Sequence, residues 1–160
     1  MDGEKNKLTL VVLSGDLDKV FAAFMIATGA AASGMEVVMF FTFWGIKAIQ
    51  KGNLTGKGLF ARMLGVMNRG GLGAIGPSRL NMGGLGRWMF KLMMKQKGVA
   101  QLPELRDTAI ALGVKLLVCQ TSLEMMEITM NDLIPEVEQT PVGVAAMMEH
   151  ATQSSVQFFI

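Results

Sequence analysis

Two short apolar runs, and the helix-length segment between them, constrain this chain most. LTLVVL (8–13) and EVVMFFTF (36–43) are dense in β-branched and aromatic residues. Runs of that length, bounded by turn residues, read as strands buried on both faces, the kind that build parallel sheets. SGD (14–16) supplies the turn after the first run, and Gly34 precedes the second. Between them lies the uncharged stretch Val20–Met35, 16 residues with two alcohols and several small side chains, closed by Glu36. A membrane span needs about 20 apolar residues. This stretch therefore reads as a buried helix, starting near Leu17 with Asp16 as its N-cap. WGIKAIQK (44–51) reads as a short second helix ending at Gly52. Strand, helix, strand, helix is the rhythm of a parallel sheet with helices on both faces.

The same rhythm returns late in the chain. Pro103 opens a helix over PELRDTAIAL (103–112), closed by Gly113. VKLLVC (114–119) is a third strand, and TSLEMMEITM (121–130) a helix with acids in its first two turns. Glu136–Gln139 reads as a short strand. Thr140 and Pro141 have the chemistry of N-cap and first residue for a helix over 141–152. SSVQFFI (154–160) is a final strand. The expected fold is a three-layer α/β/α domain over 1–160, with about five mostly parallel strands. A chain of 160 residues can bury a core without disulfides or metals.

Residues 52–98 break the rhythm and form an insertion between strands two and three. LFARMLGVM (59–67) and LGRWMFKLMMKQK (85–97) read as amphipathic helices, the second with an apolar face of Trp88, Met89, Leu92 and Met93. NRGGLGAIGPSRLNMGG (68–84) reads as loop. No Asp or Glu occurs from Val37 to Pro103, whereas ten of the 15 basic residues fall in that interval, so the net charge of +2 hides a strongly basic block. The chain's 15 methionines suit a core or surface that repacks around different neighbours. Three roles fit the block: a lid over a reactive group, an interface with sister subunits or an acidic partner, or a peripheral membrane contact. Nucleic acid is not an expected partner, because the aromatics are not interleaved as a stacking platform. The glycine runs lack the Gly-Lys-Ser/Thr order of a phosphate loop and follow no strand.

Chemistry narrows to one residue. Cys119 is the only cysteine and His150 the only histidine, which argues against zinc and against an internal disulfide. The single thiol fits a reducing, cytoplasmic setting. The charged start MDGEKNK, followed by only a short apolar run, does not read as a signal peptide. Cys119 falls at the carboxyl end of the third strand, the edge where parallel sheets place ligands. The next helix starts immediately, and its free N–H groups favour thiolate over thiol. Gln120, Thr121 and Ser122 lie beside it in sequence. Ser14, Gly15 and Asp16 after the first strand, and Phe43 and Trp44 after the second, reach the same edge as candidate pocket walls. His150 reads as a surface or helix-end residue rather than a catalytic base. An inert, buried cysteine is the competing reading, as is a scaffold role for the basic block.

Four stretches together carry a family resemblance: SGDLDK (14–19), ASGMEVVMFFTFWG (32–45), GGLGRWMFKLMMKQKGVAQLPEL (83–105) and LGVKLLVCQTSLEMMEI (112–128). Over nearly its whole length the chain resembles the DsrE/DsrF-like sulfur-relay proteins. The resemblance implies a small α/β protein that carries sulfur as a persulfide on one cysteine at the end of the third main strand, the position of Cys119. It also implies homo- or hetero-oligomers, sulfur donor and acceptor proteins as partners, and no metal or organic cofactor. A Met-Ser-Met-like sequence is expected after that cysteine; here Thr121-Ser122-Leu123 keeps the serine and the small polar start. No peroxidatic Pro-x-x-x-Thr-x-x-Cys pattern is present.

Overall fold

The computed structural model describes residues 6–79 and 81–160; the charged opening over 1–5 lies outside the described residues. Four strands, β1 (Lys7–Val12), β2 (Glu36–Phe41), β3 (Lys115–Val118) and β4 (Val156–Phe159), form one sheet in the order β3-β2-β1-β4. Every pairing is parallel. The helices are α1 (Leu17–Ala32), α2 (Leu59–Met67), α3 (Leu85–Gln96), α4 (Leu102–Ala111), α5 (Gln120–Met126) and α6 (Val144–Thr152).

Strand periodicity sorts the core into two faces. Leu10, Met39 and Leu116 share one rung, and Val12, Phe41 and Val118 another, all on one face. There α1 packs Val20, Ala23, Phe24 and Ala27, and α4 adds Leu102 and Ala109. The rings of Phe24 and Phe41 lie 6.1 Å apart. Full burial of such a side chain stabilises by about 1.5–3 kcal/mol. The alternate residues, Val38, Phe40, Leu117 and Cys119, form a smaller cluster on the opposite face, under Val142 and Met147. On that face α6 is tied to the sheet by polar contacts: Thr9 Oγ1 to Ser154 Oγ at 2.7 Å, and Lys7 Nζ to His150 Nδ1 at 3.0 Å. His150 is thus packed against the sheet rather than free at the surface.

Two expectations from the sequence need correcting, and one physical cause explains both. The sheet has four strands, not five. The segment after Ile134 does run along β3, with Glu138 N–H donating to Leu116 O at 3.0 Å and Val142 N–H to Val118 O at 2.9 Å. Two residues of β3 are therefore spanned by four residues of its neighbour. The surplus loops out at Gln139–Pro141, and Pro141 has no N–H to give. Only isolated bridges at Val137 and Val142 remain. Because Val142 is held extended, α6 begins at Val144 with Gly143 as its N-cap, not at Pro141. α5 is also shorter than expected. It stops at Met126, and Glu127 turns left-handed at φ 50°.

The second strand ends at Phe41, and a 3-10 helix over Phe43–Ile49 follows directly. α2 and α3 fall within a residue of the expected boundaries. No helix among the described residues is long and apolar enough to cross a membrane.

Candidate functional site

Register alone brings the site residues together. Phe41 pairs with Val118, so Thr42 and Cys119 occupy the next rung beyond the strands. Cys119 N–H donates to Phe41 O at 2.9 Å, which fixes that approach. Cys119 is the N-cap residue of α5, with extended backbone angles. Its side chain belongs to the second-face cluster and is 5% exposed.

Ser122, one turn into α5, is 1% exposed and organises the site. Its Oγ lies 2.9 Å from Thr42 Oγ1 and accepts the Phe43 N–H at 3.1 Å. Phe43 sits at φ 44°, a left-handed conformation that bulky side chains seldom adopt. That amide is therefore held in place by a buried hydroxyl at the mouth of the cysteine site. Burial pushes the Cys119 thiol pKa up. Hydrogen bonds from the Ser122 hydroxyl and amide, the Thr42 hydroxyl and the Thr121 amide outweigh it, and the net pKa lies below that of an ordinary thiol. The strongest influences that favour the thiolate are thus neutral hydroxyls and backbone amides.

The predicted pocket residues divide into two groups. Thr121 and Ser122 act on the Cys119 sulfur, and Phe43 reaches Ser122 through its N–H. Gln120 turns away, with its side-chain amide donating to Glu124 at 2.8 Å. Ser14, Gly15, Asp16 and Trp44 line a separate hollow of about 300 Å³ with Lys47 and Asn68. A side chain at Gly15 would collide with the Trp44 carbonyl, so glycine is required there. Asp16 holds the N-cap position of α1 but makes no capping hydrogen bond. Its carboxylate takes Ser14 Oγ at 3.1 Å and Lys19 Nζ at 3.0 Å, while Leu17 N–H is satisfied by Gly76 O at 2.8 Å.

Thr42 is the functional side chain that the sequence reading missed. Its signal was positional: the residue just past the second strand must face the residue just past the third. The start of the basic insertion is tied to the far end of α5 through its main chain. The Lys57 and Gly58 N–H groups donate to Glu127 at 2.7 and 2.9 Å, beyond the end of α5. Among the described residues, no group of three or more His, Cys, Asp or Glu side chains converges as a metal site.

Comparison with known proteins identifies the family and agrees with the fold. The chain is 38% identical to the uncharacterized protein YrkE of Bacillus subtilis over the full length of both. It is 31% identical to the sulfur carrier protein DsrE2 of Allochromatium vinosum, covering 98% of this chain and 99% of that one. Among solved structures, the ychN protein of E. coli shares the fold at TM-score 0.60 and 12% identity, covering 97% and 99% of the two chains. A Methanobacterium thermoautotrophicum protein of unknown function, MTH1491, does so at TM-score 0.55 and 10% identity, covering 96% and 98%. The model of the DsrE/DsrF/DrsH-like family matches residues 4–159. With a parallel α/β sheet, a single cysteine at the end of its third strand and a family match across the whole fold, the chain belongs to the DsrE/DsrF/DrsH-like family.

Proposed function

We propose that this protein is a sulfur carrier that holds sulfane sulfur as a persulfide on Cys119 and passes it to a partner's thiol. The observation that carries the proposal is the place of the one cysteine: the N-cap of α5 at the end of β3, in a buried cluster next to the hydrogen-bonded hydroxyls of Thr42 and Ser122. Such a site suits a thiolate that attacks and later leaves, and needs no proton shuttle. The Cys119 thiolate attacks the outer sulfur of a donor persulfide, R–S–SH. The donor S–S bond breaks, R–S⁻ departs, and Cys119–S–SH forms with no net oxidation. In the second step an acceptor thiolate attacks that outer sulfur. The Cys119 thiolate leaves, stabilised by Thr42 and Ser122. The 31% identity to a sulfur carrier supports the class of chemistry.

Cys119 is 5% exposed, so loading needs a cover to move. Met147 of α6, packed on the cysteine cluster, is unbranched and can swing aside at low cost. The reading places the protein in a reducing cytoplasm, where thiols exchange freely and the single cysteine stays reduced. It also includes self-association through α2 and α3. Leu59, Phe60, Met67 and Trp88 are more than 60% exposed there, far more apolar surface than a lone subunit normally shows.

That exposed surface also favours a second reading: a non-catalytic scaffold or peripheral-membrane protein in which Cys119 is merely buried. The two readings separate on one variant. Under the carrier reading Cys119→Ser abolishes sulfur uptake. Under the scaffold reading Cys119→Ser leaves partner binding intact, and flotation with anionic vesicles depends on residues 52–98.

A further inference from the structure

A large cavity lies apart from the cysteine site. It lies beyond the carboxyl ends of β1 and β2, has a volume of about 990 Å³, and does not include Cys119 among its lining residues. Lys47, Lys51, Arg69, Arg87 and Arg106 bring five cations to its wall, against one acid, Asp16. Four of the five are held by neutral oxygens. Lys47 Nζ donates to Asn68 Oδ1 at 2.6 Å, Lys51 Nζ to Asn131 O at 2.8 Å, Arg69 Nε to Gly52 O at 3.1 Å, and Arg87 Nη1 to Ala74 O at 3.0 Å. Among the described residues none of these four has a carboxylate within ion-pair distance, whereas Lys19 already engages the one acid. Lys47 and Arg87 are both half-buried; burial draws the Lys47 ammonium pKa down, Asp16 pulls the other way, and repulsion from Arg87 adds to the lowering. Asp107 pairs with Arg106, and Asp132 and Asp16 act on Lys51 and Lys47, but the wall keeps an excess of like charge, which costs stability unless an anion binds there.

The wall is fixed rather than loose. The loop over 68–79, which the sequence marks only as glycine-rich, is anchored by buried Leu72 and Ile75. Gly71 N–H donates to Lys47 O at 3.0 Å, and Asp18 accepts both the amide and the hydroxyl of Ser78 at 2.8 Å. Gly70 lies so close on the Gln50 side chain that any Cβ would overlap it. The cations therefore face a pre-formed cavity, which spares a ligand much of the ordering cost.

We propose that this cavity binds a small molecule bearing two or more phosphate charges, held by Lys47, Arg87 and their neighbours rather than by a glycine-loop motif. Its volume matches the upper range of small-molecule sites, about 300–1,000 Å³, and would leave a lone inorganic ion in mostly empty space. Arginine's planar fork suits the oxygens of a phosphate. The proposal is independent of persulfide chemistry at Cys119.

The test is isothermal titration calorimetry on the full chain, at low and at near-physiological salt, with pyrophosphate as the probe and thiosulfate as a sulfur oxyanion of lower charge. Wild type is expected to bind one pyrophosphate, more tightly than thiosulfate. Arg87→Gln and Lys47→Gln should each weaken pyrophosphate at least tenfold. Lys95→Gln, on α3 but outside the cavity wall, should stay within twofold. Arg87→Lys keeps the charge and should retain more affinity than Arg87→Gln, which guards against simple misfolding. Equal loss in Lys95→Gln would mean diffuse surface charge and would overturn the proposal. So would the absence of pyrophosphate binding at millimolar concentration. Thiosulfate binding as tightly as pyrophosphate would overturn the assignment to phosphate.

Discussion

At the scale of single residues, Ser122 matters as much as Cys119. Its hydroxyl joins Thr42, the strained Phe43 amide and the sulfur in one buried cluster. Ser122→Ala removes a donor to the thiolate and leaves the Thr42 hydroxyl and Phe43 N–H short of a partner. The expected result is a raised Cys119 pKa, read as slower alkylation at fixed pH, with a stability loss of about 1–3 kcal/mol in chemical denaturation. An unchanged alkylation profile would remove Ser122 from the site. His150 supplies a second residue-scale test. Burial first, then Lys7 and Lys115, hold its folded pKa below the ordinary imidazole value. The unfolded chain therefore takes up this proton at higher pH than the folded one. His150's contribution is fully present above about pH 6.5 and is lost as the pH falls toward the lowered folded value. Denaturation midpoints should fall more steeply on acidification for wild type than for His150→Gln, whose amide oxygen can still accept from Lys7. Parallel slopes would contradict the assignment.

At the scale of elements, α2 and α3 are the anomaly. Trp88 is 62% exposed and Phe60 76%, on helices set among lysines and arginines. Trp88→Glu should change monomer stability by no more than about 0.5 kcal/mol, as for other exposed positions. It should, however, reduce the assembled mass seen by sedimentation velocity. Unaltered assembly would show that this face is not the subunit contact. These helices were legible from sequence because periodicity and glycine stops coincide at 59–67 and 85–97. The segment over 134–143 was not. Its β-like residues suggest a strand, but Pro141 and two surplus residues break the ladder against β3, and pairing partners cannot be read from local pattern. Thr42 was missed for the same reason, since its role depends on the Phe41–Val118 register. The place of Cys119 at a strand end was legible because a strand end is a local signal. Where the basic block folds was not, because charge runs along the sequence do not say which edge they reach.

At the scale of the whole molecule, the carboxyl edge of the sheet carries two separate devices. One is the hydroxyl-lined cysteine at the end of β3; the other is the cation-lined cavity beyond β1 and β2. The central claim concerns the first. Its most direct test is intact-protein mass spectrometry after exposure to a persulfide donor, with wild type beside Cys119→Ser. The account predicts a gain of one sulfur atom on wild type only, removed by a reductant and delivered to an acceptor thiol. Wild type that stays unmodified under conditions that load an established sulfur carrier would contradict it and leave Cys119 a buried structural residue.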